Sequence, residues 1–592
     1  MSIFSNSRLI DLKIRQFLPY ALLSQASTIL IVFADSLVVG NFVGPDGLSA
    51  INTSYPLAII MGIFTALPML GIMSRLVYHL GRSVARDTAI CISAGRRLIA
   101  ISAAALTVFQ LPFPWIIAGS VSLTPAIHDM AILYMCMLMI TAPFGVVSAC
   151  GVNIFNAYGK MSVIAWLTIG EGVLNLLLDL LFTGLLGMEI AGVGLGTVIA
   201  TIARCAVTVA IVRKQTPFLT TNVNEVCGND DSEVIPDRKR EMKEMASQGI
   251  PGVITQLENL VKSWLLVWGL SLAMGSESLG CLSIRSFLLS ISFIFIGGFS
   301  GVMKMMVGLQ YGIGNFKACL NILTKTTLWL SAIIAVITVA VLIYPDFLFY
   351  MFGYDTISRY DIEAIRIMSL SLLPIGVENV LATFLAMLQQ SKKASWVTVV
   401  NGFVAFLPAF LILLFVAGGT SIWYSFLIAS VAATVLAIIF AIQEIRRETE
   451  KNRGKSLASY CITPEMRGSL AASVERFAVE SGLSEGKAYR VALCVDEITG
   501  YSLMKFKDKT YIDIFLTIDG EDVQLVMIDN GKHLDVSEDY QDYQIDRNAG
   551  DEMEQMEEMD RFLSTDFALI REMVKSVNYQ WIWNMNHTTI KI

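Results

Sequence analysis

Twelve stretches of some twenty or more predominantly apolar residues dominate this chain and decide what it can fold into. They fall near residues 17–40, 47–74, 97–118, 126–156, 162–187 and 190–212. After a polar stretch at about 214–243, six more follow near 245–273, 279–308, 322–349, 363–389, 395–417 and 420–444. Each is long enough to cross roughly 30 Å of hydrocarbon as a helix. A soluble domain cannot cover so many long apolar segments, because single cores stop growing with chain length. With 55% of 592 residues hydrophobic, the chain reads as an all-α polytopic membrane bundle of about twelve transmembrane helices.

Charge divides the chain in two. Residues 451–592 hold 25 of the 50 acids and 16 of the 43 Lys/Arg, so an apolar, slightly basic body carries an acidic, soluble tail. No basic stripe suggests a nucleic-acid partner. The nine cysteines are scattered through apolar segments, without the spacing of a metal site or a disulfide framework. The N-terminal apolar stretch lacks a cleavage site and reads as the first span.

Lys and Arg sort between alternate loops. Arg82, Arg86, Arg96, Arg97, Lys160, Arg238, Lys239, Arg240, Lys317, Lys392, Lys393, Arg446 and Arg447 follow even-numbered spans, and Arg359 is the exception on the opposite side. The positive-inside rule then places both termini and the tail in the cytoplasm of a multi-pass protein of a plasma or bacterial inner membrane.

The two halves repeat. Pro19 matches Pro251, Gly44 matches Gly275, Gly71 matches Gly301 and Pro143 matches Pro374, all at offsets near 230–232. Parallel repeats predict two six-helix lobes with a substrate site between them near mid-membrane. The expected boundaries are residues 10–213 for the first lobe, 214–243 for a cytoplasmic linker, 244–447 for the second lobe and 448–464 for a second linker. The tail domain then occupies 465–592.

Ionisable residues deep in a span are functional candidates by default. Asp35 lies on the otherwise apolar first span. Asp179 lies one helical turn after Asn175, so the two face the same way, and a carboxyl there could take a proton or a cation. Glu258 lies mid-way along the seventh span and Glu378 in the tenth. Lys262 follows Glu258 by four residues, so an intrahelical ion pair competes with a cation site. Arg204, Arg285 and Lys304 lie nearer span ends, where they can snorkel to the interface.

The segments VFADSLVVGNFVG, APFGVVSACGVNIFNAYGK and VLNLLLDLLFTGLLGMEIAGVGLGTVIAT resemble the multidrug and toxic compound extrusion family, over roughly residues 10–445. The resemblance implies export of cationic or amphiphilic small molecules in exchange for H+ or Na+. It also implies a coupling cluster at Asp35, Tyr134, Asn175, Asp179 and Thr197, with Glu258 and Glu378 at a second cation position. Glu378 stands where the family often has Asp, which leaves the ion open.

From about Thr463 the pattern changes to two amphipathic helices, two alternating strands joined by Gly520-Glu521, a helix near 564–577, and strands over 578–586 and 587–592. This predicts a two-layer α/β sandwich with mixed connectivity. It resembles the histidine-kinase-like ATPase domain of the anti-sigma-factor kinase type. Glu497 stands at the water-orienting acid, and Asp529-Asn530-Gly531 at the box whose Asp reads adenine. Two departures follow. Tyr501 replaces the Mg2+-coordinating Asn, and Ser564-Thr565-Asp566-Phe567 lacks the glycines that let backbone N–H groups approach phosphate. A degenerate regulatory module is expected rather than a working ATPase, with ATP binding in doubt and room for a cytoplasmic protein partner.

The expected function is secondary active export by alternating access, with a regulatory tail and no enzymatic site or resident metal. A flippase for a lipid-linked precursor and a membrane-anchored ATP-binding signalling protein are the rivals. The lack of a GxxxxGK[ST] loop excludes an ABC-type pump.

Overall fold

The computed structural model describes residues 8–531 and 573–592, apart from 121–123, 224–225, 227–230, 275–279, 352–356, 358, 418, 463–466 and 506–510. Seven helices build the first lobe: α1 (Arg8–Phe42), α2 (Pro45–Arg82), α3 (Ala85–Phe109), the short α4 (Phe113–Gly119), α5 (Pro125–Ala157), α6 (Met161–Asp179) and α7 (Glu189–Gln215). The second lobe holds α8 (Asp231–Met274), α9 (Gly280–Ile313), α10 (Phe316–Ile343), the short α11 (Pro345–Met351), α12 (Arg359–Met387), α13 (Ser391–Val399), α14 (Phe406–Ile412) and α15 (Tyr424–Lys451).

Eleven helical segments among the described residues are long and apolar enough to span a bilayer. The expected seventh span falls inside α8. That helix starts at Asp231, within the expected linker, and the charged run over 238–244 that carries it toward the span is built of good helix formers. The third apolar run breaks near Pro112 and Pro114 into α3 and α4, since proline removes a backbone donor. Two further spans change pitch along their length. A π-helical turn, Leu180–Leu185, follows Asp179, and another, Val400–Val404, carries Asn401. Such π turns mark functional positions.

The lobes meet along α2, where glycines replace side chains. A Cβ on Gly71 would lie 2.1 Å from the Met245 carbonyl oxygen of α8, and one on Gly249 would lie 2.1 Å from that of Leu67. Lower down, Gly81 and Gly312 bring α2 against α9, with Cβ positions 2.3 Å from the carbonyl oxygens of Leu309 and Tyr78. One apolar core therefore runs through both lobes on this side. At the opposite end the first lobe keeps a core of its own, including Val39, Leu57, Tyr134 and Val193 and no described residue of the second lobe. The closest backbone contacts between the lobes thus lie toward one end of the bundle, and the first lobe's own core lies toward the other.

The tail packs at the joined end. Its strands β1 (Ser456–Ile462), β2 (Ile512–Asp519), β3 (Asp522–Asp529), β4 (Ser576–Ile582) and β5 (Met585–Lys591) form one sheet in the order β1-β2-β3-β5-β4. Every pairing is antiparallel, in place of the mixed connectivity expected. Strand β1 was not foreseen and lies in the expected second linker. The last two strands also meet elsewhere than expected: the turn is Trp583-Asn584, inside the apolar stretch that reads as one strand, and both residues take positive φ, 60° and 54°.

Alternation along the strands divides the sheet. Ile514, Leu516, Leu525, Met527 and Ile590 share a core with helices α16 (Arg467–Glu480) and α17 (Glu485–Lys505). Phe515, Val526, Ile528, Ile582 and Met585 join the core of the membrane bundle instead. Both faces are covered. Residues 564–572 of the expected helix lie outside the described residues, and its last two, Ser576 and Val577, belong to strand β4 instead.

Trp583 anchors the contact with the first lobe. It is 4% exposed; its Nε1 donates to the Ala157 carbonyl at 3.3 Å, and its own carbonyl accepts from Lys13 Nζ at 2.7 Å. Its ring meets Phe17 edge-on at 6.2 Å. Gly159, at φ 72°, leaves the room: a Cβ there would lie 2.4 Å from Trp583 Cδ1.

Candidate coupling site

On α6 the residues Glu171, Asn175 and Asp179 recur every four positions and so line one face. Helix α1 brings Asp35 against them. The Asn175 amide donates to Asp35 Oδ1 at 2.5 Å and to Asp179 Oδ2 at 3.2 Å. Asp179 is fully buried, and its Oδ1 has no hydrogen-bond partner. Two carboxyls joined by one amide, with an acceptor oxygen left open, have the chemistry to hold a positive charge, because close like charges favour a proton or cation between them.

Tyr134 is buried on α5, near enough to both carboxyls to feel their charge. Thr197 is half-buried on α7, and its hydroxyl donates to the Val193 carbonyl of its own helix at 3.0 Å. Its neighbour Gly196 is the α7 residue that touches Asp179: a Cβ there would lie 2.2 Å from Asp179 Oδ1. Sequence reasoning passed over Gly196 and Glu171. The four-residue spacing from Glu171 to Asn175 was the available signal for the second, whereas nothing local marks the first. Arg204, expected to snorkel, instead forms a part-buried ion pair with Glu171.

The second lobe assembles Glu258 and Glu378 through a different chain of contacts. Lys262 Nζ donates to Glu258 Oε1 at 2.6 Å and to Asn401 Oδ1 at 2.9 Å, and the Asn401 amide donates to Glu378 Oε2 at 2.7 Å. Asn401 sits on the π turn, which aims it between the two acids. Lys262 therefore supplies a built-in cation where the sequence suggested either an ion pair or a cation site.

Where the lobes join, Arg75 grips Glu241 with Nε and Nη2 at 2.7 and 2.6 Å and reaches Gln389 Oε1 at 3.1 Å. Gln389 returns its amide to Ser74, closing a polar clasp across the seam. His79, Cys91 and Glu241 converge there closely enough to hold a metal. Arg75, however, occupies both carboxylate oxygens of Glu241, so the set fits a clasp better than a metal centre.

In the tail, Asp529 is buried and accepts from Asn586 Nδ2 at 2.7 Å and from the Gly531 N–H at 2.9 Å. Asn586 is held in turn by the Tyr579 hydroxyl at 2.7 Å. Burial pushes the Asp529 carboxyl up from its ordinary range, against these two hydrogen bonds. Glu497 lies on α17, half-buried. The Tyr501 side chain and residues 564–567 lie outside the described residues.

A bundle of long apolar helices with acidic clusters buried inside it, built in two joined lobes, is the frame of a membrane transporter. The MatE family profile matches residues 21–181 and again 252–414, two segments that start 231 residues apart. The chain belongs to the MatE family, whose members are secondary transporters rather than enzymes. Among solved structures, a MATE transporter in complex with MaL6 superposes with a TM-score of 0.65 at 16% identity, covering 74% of this chain and 97% of the other. A MOP superfamily transporter from Pyrococcus furiosus, described as having a binding pocket of reversed polarity, gives 0.65 at 17% over 74% and 96%. An outward-facing multidrug resistance MATE transporter gives 0.63 at 16% over the same shares. At these identities the likeness establishes the fold. The comparison with curated proteins gives no match.

Proposed function

We propose that this protein is a secondary exporter of cationic or amphiphilic small molecules, driven by H+ or Na+ through alternating access. The observation that carries the reading is the unpartnered Asp179 Oδ1, buried beside Asn175 and Asp35. A proton or cation entering there neutralises the cluster. Asp35 and Asp179 are the coupling groups, Asn175 positions them, and Tyr134 and Thr197 line the site. Glu258 and Glu378, linked through Lys262 and Asn401, serve as a second cation position, where one ammonium against two carboxyls leaves room for one further positive charge. The acids Asp35 and Asp179, which have no basic partner among the described residues, support a cationic cargo over an anionic lipid-linked one.

The same reading keeps the two lobes at 10–213 and 244–447 and the tail-bearing side cytoplasmic, with the start of α8 and strand β1 lying in the stretches drawn as linkers. It takes the tail as a degenerate histidine-kinase-like ATPase sandwich with a regulatory role. Asp529 held by Asn586 and Gly531 supports the degenerate form, since the adenine-reading carboxyl already has partners. Reconstituted vesicles given a Na+ gradient and a pH gradient separately test the function. One gradient should drive uptake of a fluorescent organic cation, and Asp179→Asn should lower that uptake at least ~10-fold while leaving membrane insertion unchanged. Full gradient-driven transport by Asp179→Asn overturns the coupling role.

A further inference from the structure

The tail touches both lobes by different means. Helix α15 belongs to the second lobe, packing against α12 and α13. It ends at Lys451, and β1 begins at Ser456. Four residues therefore tie the sheet to the second lobe, and Lys455 pins that link by pairing with Asp519 at 2.9 Å. The far side of the sheet ends in the β4–β5 hairpin, whose tip sits on the first lobe.

The tip is built for that contact. A two-residue turn with both φ positive favours Asn-Gly sequences. A bulky Trp in this conformation is rare, and it persists only where surrounding contacts hold it. Here those contacts are Ala157, Lys13 and Phe17 of the first lobe, with Gly159 omitting the one side chain that would block them. The socket lies at the end where glycines join the lobes, so the link and the tip bridge the seam in parallel with the Arg75–Glu241 clasp.

We propose that the tail is a strap across this end of the transporter: the link holds the second lobe, Trp583 holds the first, and the lobes part here only when Trp583 leaves its socket. The strap makes the tail a brake on transport, acting by position and needing no nucleotide. It rests on the alternating-access reading above, in which the lobes separate at this end during each cycle.

The test uses the full-length protein in lipid nanodiscs, with native cysteines replaced and nitroxides at Arg213→Cys and Lys392→Cys, exposed positions of the first and second lobes. Pulsed EPR then reads the spacing between lobes. Trp583→Ala and, independently, Gly159→Ala, which leaves the tail sequence intact, should each raise the long-distance population ~10-fold or more. Gly187→Ala controls for backbone strain, because Gly187 has φ 64° but nothing within 4 Å of its added Cβ. It should leave the populations unchanged. Populations indifferent to Trp583→Ala and Gly159→Ala, in a protein whose parent form lengthens under an ion gradient, refute the strap alone. A shift in Gly187→Ala equal to that in Gly159→Ala also refutes it, as strain rather than docking. A single short distance in every variant under every gradient refutes the lobe motion on which both readings stand.

Discussion

The sharpest consequence of the glycine seam concerns Gly71→Ala. The added Cβ would stand 2.1 Å from the Met245 carbonyl oxygen, where real Cβ atoms keep beyond 3.0 Å. The obstacle is backbone of α8, which cannot rotate away as a side chain could, so α2 and α8 must move apart by roughly 1 Å. Overpacking of this kind costs about 1–3 kcal/mol. The whole of that cost falls on the state in which this end is joined, because the contact disappears when the lobes part. The equilibrium should therefore shift toward opening at the tail-bearing end by about 5- to 150-fold. Accessibility of a single cysteine placed along the seam to a small thiol reagent, compared between parent and variant, measures the shift. Gly301→Ala is the internal control, since nothing lies within 4 Å of its Cβ. If Gly71→Ala leaves accessibility at the parent level while the protein stays folded, the seam is not a closed gate and the argument from glycine contact fails.

Other outcomes follow from the same contacts. Gly196→Ala crowds Asp179 Oδ1 and should weaken the apparent affinity for the coupling ion by about 5- to 150-fold, read from the ion dependence of uptake. Burial, and then the nearby Lys13 ammonium, push the His587 imidazole down to about 3 from its ordinary 6.5. The docked tail binds fewer protons than the released one between those values, so docking is at full strength above about pH 6.5 and weakens as pH falls toward 3. Limited proteolysis of the tail across that range reads the loss, and His587→Gln should flatten it. Mg-ATP should bind the full-length protein weakly or not at all by calorimetry; micromolar binding abolished by Asp529→Ala would make nucleotide control the better account.

How far the sequence reveals this molecule depends on whether a feature is local. Asp35, Asn175 and Asp179 announce themselves because a charge in a long apolar run is conspicuous by itself and helical spacing aligns it. Glu171 obeys the same spacing, yet its partner Arg204 is more than thirty residues away and its role appears only once α6 and α7 are packed. Gly249 and Gly196 are undistinguished among 43 glycines, and Gly71 stands out only as a landmark of the repeat, until a second backbone or a carboxylate is known to press on them. The Trp583-Asn584 turn is misread for a related reason. Its residues favour a strand, and they bend back only because Lys13, Ala157 and Phe17, more than 400 positions upstream, hold the tip.

The four-residue link between α15 and β1 also fixes how the tail can be released. A segment tethered so closely to its socket experiences it at an effective concentration on the order of millimolar. An intrinsic dissociation constant of ~0.1 mM, weak for two separate proteins, is then enough to keep the hairpin seated about nine-tenths of the time. A free competitor for the socket at micromolar levels scarcely registers against that local excess. Control of the tail therefore belongs to whatever alters the socket's shape or occupies the hairpin itself, and dilution, expression level or chain turnover leave its state unchanged.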